Sequence, residues 1–320
     1  MNSLDRLRKL YLDSLDQGFS EPEWNRHPDE LYAPQRYILG LGGKRIRPIL
    51  ALMAAEANGC DASVALPVAH SVERFHNFSL IHDDIMDKAK IRRGKKTVHE
   101  NWDLNTGILS GDALLVMAYK SLSQSPDEYF SELLNSFNQT ALEVCEGQQM
   151  DMSFEKIDNI EEGQYLHMIR NKTAVLLGCS LEMGSIISGG SKVISRALYN
   201  FGVELGISFQ IHDDLLDAYG STKTIGKNVG ADILAKKKTL LWIHFSKNNP
   251  GKLDSIFDLQ SNEIVQKILS EMKLSGTLDY VQKQRRNHFE NAMESLKEIE
   301  EVCEVSDLRN FANWIYERKF

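Results

Sequence analysis

Leu80-Ile81-His82-Asp83-Asp84-Ile85-Met86-Asp87 recurs, almost letter for letter, as Gln210-Ile211-His212-Asp213-Asp214-Leu215-Leu216-Asp217. Both stretches sit inside apolar, helix-forming sequence. On an α-helix, residues four apart lie about 40° apart around the axis and adjacent residues about 100° apart. Each stretch therefore projects three carboxylates from one wedge of a helix. Clustered like charge destabilises a helix unless something neutralises it. A solvated acidic face accounts for one such cluster but not for two with the same spacing and the same Ile-His lead-in. Two clusters suit a site for several hard cations. Carboxylate oxygens match magnesium, which bridges protein carboxylates to substrate phosphates.

Outward from these stretches, helical period dominates. Val68, Val72 and Phe75 lead into Leu80, which opens the first, at spacings of three to five. No proline falls between Pro126 and Pro250, which leaves room for several long helices. Strand-like alternation is scarce. Breaks fall at Gly40-Leu41-Gly42-Gly43, Arg93-Gly94, Gly189-Gly190 and between Gly220 and Gly230. The sequence predicts one all-α domain over residues 1–320 with about ten or more helices. A basic loop follows each acidic stretch: Lys90, Arg92, Arg93, Lys95 and Lys96 after the first, Lys223, Lys227, Lys236, Lys237 and Lys238 after the second.

The 320 residues are 42% hydrophobic and 26% charged, enough for a large core. A net charge of −8 argues against a general nucleic-acid binder. Cys60, Cys145, Cys179 and Cys303 are scattered, as expected of reduced thiols in a cytoplasmic protein. The amino-terminus lacks the apolar run of a signal peptide, and no stretch of 18 apolar residues offers a membrane span.

The cations complete the pattern. Gly42-Gly43-Lys44-Arg45-Ile46-Arg47-Pro48 joins a glycine pair to three positive charges. Glycine lets backbone N–H groups approach an anion, and arginine binds phosphate bidentately. His76 lies seven residues before Asp83, two turns away on nearly the same helix face. Acids and bases together describe a pocket for two phosphorylated ligands, one held through metal ions and one directly by cations.

These motifs closely resemble those of the trans-isoprenyl diphosphate synthases, which include farnesyl and geranylgeranyl diphosphate synthases. The resemblance runs from about Gly40 to Lys238. It is carried, in the family's order, by Gly42 to Pro48, by Ser79 to Asp87 with Arg92-Arg93-Gly94, by Gly147-Gln148, by Lys172-Thr173, and by Phe209 to Asp217; Gly226-Lys227 through Asp232 to Lys237 also fits. It implies a single large antiparallel helical bundle around a deep apolar pocket, usually as a homodimer. It further implies that Asp83, Asp84 and Asp87, with Asp213, Asp214 and Asp217 facing them, hold about three Mg²⁺ ions on an allylic prenyl diphosphate. Arg92 would grip that diphosphate, aided by Lys172, Lys227 and Lys237. Isopentenyl diphosphate would sit on Lys44, Arg47, His76 and Arg93, with Thr173 and Gln210 near the reacting carbons. The implied reaction ionises the allylic C–O bond, lets the isopentenyl double bond attack the cation, and ends with proton loss, for which the released diphosphate serves as acceptor.

Family members stop elongation with a bulky side chain below the first acidic motif. Phe78 is the fifth residue before Asp83, Ser79 the fourth and Phe75 the eighth. Five helical residues span about 7.5 Å, enough for a short prenyl tail. Phe75 and Phe78 also suit an ordinary core, and Phe78 is angularly offset from Asp83, so its pocket role rests on the resemblance. A C20 geranylgeranyl product is favoured, with C15 next. A class I terpene cyclase would replace the second acidic motif and would not need the Gly42 to Pro48 site. A non-catalytic regulatory subunit would lose one acidic motif, and this chain keeps both.

Overall fold

The computed structural model describes residues 3–19, 24–220, 230–257 and 264–317. They divide into two compact units, one of Met1–Gln139, Cys179–Tyr199 and Ile299–Asp307, the other of Thr140–Gly178, Asn200–Glu298 and Leu308–Phe320. The architecture is all-α, as the 3.6-residue period predicts. Among the described residues the only sheet is one short hairpin.

The first unit opens with α1 (Ser3–Phe19), α2 (Asp29–Gly40), α3 (Ile46–Ala57) and α4 (Leu66–Met86). The hairpin β1 (Ile91–Arg92) and β2 (Lys95–Lys96), then α5 (Val98–Asn101), α6 (Leu104–Leu122) and the start of α7 (Asp127–Phe154), whose residues from Thr140 on belong to the second unit, follow. Pro67 starts α4, where its missing N–H costs nothing. The helix stops at Asp87, and the next residue, Lys88, turns left-handed at φ +53°. Val68, Val72, Phe75 and Ile81 are almost fully buried as α4 packs against α3 and α6. Each such side chain contributes about 1.5–3 kcal/mol of burial. Asp103 caps α6 by accepting from the Thr106 N–H at 2.9 Å.

The second unit contains α8 (Glu162–Ile169), which opens with a reciprocal capping box between Glu161 and Gln164. A π turn (Arg170–Ala174) joins it directly to α9 (Val175–Ile187), whose residues from Cys179 on belong to the first unit. Then come α10 (Lys192–Tyr219), in this unit from Asn200 on, α11 (Ala231–Leu234), α12 (Leu240–Asn248), α13 (Lys252–Phe257), α14 (Ile264–Leu274), α15 (Thr277–Lys297) and α16 (Ser306–Tyr316), in this unit from Leu308 on. Tyr165, Phe201, Ile211, Phe245 and Val281 are among its most buried side chains. No described helix is long and apolar enough to cross a membrane.

Candidate active site

The three aspartates of α4 differ in their surroundings. Asp83 is half-buried and Asp87 exposed, whereas Asp84 is 2% exposed. Asp84 is engaged bidentately by Arg92, from Nε at 2.7 Å and from Nη2 at 2.8 Å. This pairing needs the hairpin. Its two central residues, Arg93 and Gly94, have φ of +51° and +74°, as the tight turns favoured between paired strands demand. The turn sends neighbouring arginines to different places. Arg92 returns to Asp84, while Arg93 donates to the Gly42 carbonyl. Gly43 beside it holds φ +121°, a backbone conformation that side chains strain, and a Cβ there would also stand 2.8 Å from the Arg93 Cζ, so the position suits glycine.

Beside this hairpin, Arg47 Nη1 donates to His76 Nε2 at 3.2 Å. An arginine can only donate, so His76 accepts and is neutral there. Burial pushes His76 well below the ordinary histidine range, and Arg47, Arg93, Arg92 and Arg45 push it further. Burial lowers Arg47 to about 10, opposed by Glu73. Lys44 is exposed. Arg45 donates instead to Glu73 and to the Leu39 carbonyl, inside the unit. The first unit thus brings Arg47, His76 and Arg93 together and keeps Arg92 for Asp84.

In the second unit the middle aspartate is again the enclosed one. Tyr165 Oη donates to Asp214 Oδ2 at 2.6 Å, and Gln210 Nε2 donates to Oδ1 at 3.0 Å. Thr173 Oγ1 donates in turn to Gln210 Oε1 at 3.1 Å. Burial pushes Asp214 up to about 6 against these donors and the nearby charge of Lys237. Asp213 and Asp217 are half-buried; Asp217 also accepts from the Asp232 N–H at 3.0 Å. Lys172 meets Asp151 at 2.5 Å. Lys172 and Thr173 both ride on the π turn, an irregularity frequent at functional sites. A Cβ on Gly147 would fall 2.2 Å from the Lys172 backbone nitrogen, and one on Gly206 would fall 2.7 Å from Ala174 Cα. The π turn is therefore clasped by two helices that only glycine lets so close. Both amide atoms of Gln148 are buried without a hydrogen-bond partner. Lys227 lies outside the described residues.

Below Asp83, Phe78 is half-buried, with its ring centroid 4.8 Å from His82 and 5.6 Å from Phe75. Phe75 is 1% exposed and meets Phe137 edge-on at 5.4 Å. Ser79 turns back to donate to the His76 carbonyl at 2.9 Å. Sequence reasoning overlooked Glu73, Asp151 and Tyr165. Their partners lie 28, 21 and 49 residues away, and only Asp151, four residues after Gly147, had a motif beside it.

Magnesium typically uses one or two protein carboxylates together with substrate phosphates and retained waters, rather than a closed protein cage. The donor set fits. Among the described residues no three His, Cys, Asp or Glu side chains form a ready-made cage, and the outer carboxylates of each motif are more open than the middle ones.

An all-α helical fold that carries two such motifs and a separate cluster of cations defines an isoprenoid synthase fold enzyme. A family model for polyprenyl synthetase matches residues 28–272, and the chain belongs to that family. It is a short-chain prenyltransferase. A geranylgeranyl pyrophosphate synthase of Geoglobus acetivorans is 38% identical over 312 residues, covering 97% of this chain and 96% of its own. A crystal structure of a geranylgeranyl pyrophosphate synthase superposes with a TM-score of 0.90 at 41% identity, over all of both chains. The synthase of Corynebacterium glutamicum, solved with isoprenyl diphosphate and magnesium, has a TM-score of 0.79 at 27% identity, covering 99% of this chain and 98% of its own.

Proposed function

We propose that this chain condenses an allylic prenyl diphosphate with isopentenyl diphosphate to give all-trans geranylgeranyl diphosphate, working as one synthase domain in the cytoplasm. The observation that carries this reading is the pair of aspartate motifs, each with its middle carboxylate already held by the protein and its outer ones more open. Asp83, Asp87, Asp213 and Asp217 would hold the Mg²⁺ ions, about three in all, with Asp84 and Asp214 fixing their geometry from within. When bound, the ions stabilise the charge that develops on the departing diphosphate.

The remaining steps belong to this chain's residues. Arg92, Lys172 and Lys237 add preorganised positive charge toward the allylic diphosphate; Lys227 would join them. Lys44, Arg47, His76 and Arg93 hold isopentenyl diphosphate. Thr173 and Gln210, fixed to each other and to Asp214, flank the reacting carbons. Apolar walls exclude the water that would quench the allylic cation. No protein nucleophile is required. Incubation with isopentenyl diphosphate and dimethylallyl, geranyl or farnesyl diphosphate, followed by chromatography, tests this. A C20 linear product supports the reading, and hydrocarbons or no turnover would refute it.

Two variants probe its halves. Arg47→Ala removes a charged hydrogen-bond partner, costing about 1.5–3 kcal/mol. The KM for isopentenyl diphosphate should then rise about tenfold to a hundredfold while the allylic KM stays put. A primary effect on the allylic KM would reverse the assignment of the two half-sites.

Phe78→Ala should open space that prenyl carbons fill with about 0.8 kcal/mol per buried CH₂. Products should lengthen by at least one C5 unit, with Phe75 as the next stop and the double Ala variant running longer still. An unchanged product spectrum with only a lower melting temperature would make Phe78 a core residue.

A homodimer is the proposed assembly. Ile108, Leu109 and Val116 stand exposed on α6, an apolar face of the kind a second copy covers.

A further inference from the structure

Arg45 stands in the middle of the cationic Gly42 to Pro48 motif, yet its side chain is only 2% exposed. It donates to Glu73, itself 3% exposed, and to the Leu39 carbonyl. Its backbone is left-handed, at φ +55° and ψ +39°, immediately before α3. A residue with a Cβ holds that conformation only where surrounding contacts dictate it. Glu73 is in turn fixed from its own helix: Asn77 Nδ2 donates to Glu73 Oε1 at 3.1 Å and to its carbonyl at 2.8 Å. Glu73 and His76 stand three residues apart on α4, and Arg45 and Arg47 two apart at the start of α3. One ion pair thus ties the turn that carries Arg47 to the helix that carries His76, the residue Arg47 contacts.

A buried ion pair is weak evidence for stability, because well-packed apolar residues often serve as well. Its contribution is better sought in geometry. Arg47 and Arg93 both feel Glu73, whose charge opposes the lowering that burial imposes on each. Without that anion, like-charged guanidiniums crowd one another around His76.

We propose that Glu73 is a positioning residue for the isopentenyl diphosphate half-site: it anchors Arg45, and through it the turn from Gly43 to Arg47, so that Arg47 and Arg93 meet the diphosphate preorganised. This rests on the assignment of Arg47, His76 and Arg93 to that substrate. Glu73 itself touches neither substrate. Its loss should weaken binding of one diphosphate and leave the other alone, a split that general destabilisation does not produce.

Steady-state kinetics with each substrate varied in turn test this on three variants of the full chain. Arg47→Ala gauges the half-site. Glu73→Gln removes the anion and leaves Arg45 buried without it. The Arg45→Leu/Glu73→Leu double variant removes both charges together and guards against simple misfolding of the single variant. Both Glu73 variants should raise the KM for isopentenyl diphosphate about tenfold, from lost preorganisation of two arginines. The allylic KM, and kcat at saturating isopentenyl diphosphate, should stay within about twofold. If Arg47→Ala raises that KM while both Glu73 variants keep the wild-type value, Glu73 only stabilises the fold and the inference is overturned. If Arg47→Ala itself leaves the KM unchanged, the half-site assignment fails, and the role given to Glu73 falls with it.

Discussion

Asp83→Ala and Asp213→Ala should each lower kcat by at least about a hundredfold to a thousandfold, while thermal stability changes little. The expected size follows from what these groups do. They supply electrostatic stabilisation where charge develops in the transition state, and removing even one preorganised donor from such a site costs about 10²–10³ in rate. Stability should hold because both carboxylates are only half-buried, whereas the fully enclosed aspartates are Asp84, paired with Arg92, and Asp214, held by Tyr165 and Gln210. Relieving like-charge crowding within each motif should even offset part of any loss. Chelation of the wild-type enzyme should abolish turnover, and added Mg²⁺ should restore it. Undiminished turnover in either variant, or activity that survives chelation, would remove the metal site from the reading.

Gly147→Ala tests a different kind of dependence. The added methyl carbon would lie 2.2 Å from the Lys172 nitrogen and 2.6 Å from its Cα. Those are backbone atoms, so no side-chain rotation relieves the clash. The π turn must move, and with it Lys172, Thr173 and the hydrogen bond from Thr173 to Gln210. Displacements of about 1 Å at reacting groups cost roughly a hundredfold in rate, and kcat/KM should fall by about that much. Overpacking should also cost about 1–3 kcal/mol of stability. Circular dichroism during thermal unfolding, set beside initial rates, separates the two effects. A Gly147→Ala enzyme with wild-type rates would show that the geometry of the π turn does not matter to turnover.

The all-α fold was legible because hydrophobic period is a local property, and proline and glycine punctuate it locally. The aspartate motifs were legible for the same reason: a spacing of four residues on a helix fixes relative direction without knowledge of any neighbour. Glycines 43 and 147 could be noticed in sequence, but not what they admit. The bodies that press on them, the Arg93 guanidinium and the Lys172 backbone, arrive from 50 and 25 residues away.

What sequence alone determined, then, is which helices form and which carry carboxylates and cations. Tertiary structure decided the work of each charged group. Six aspartates look alike in the chain, but packing encloses Asp84 and Asp214, each against a side chain brought from another element, Arg92 for one and Tyr165 for the other. Two adjacent arginines part company because a tight turn with two positive φ values lies at Arg93 and Gly94. Arg45, one of three cations in the Gly42 to Pro48 motif, is turned inward to Glu73. Charge partners separated by tens of residues depend on how helices pack, and packing is a property of the whole assembly of side chains rather than of any window of sequence.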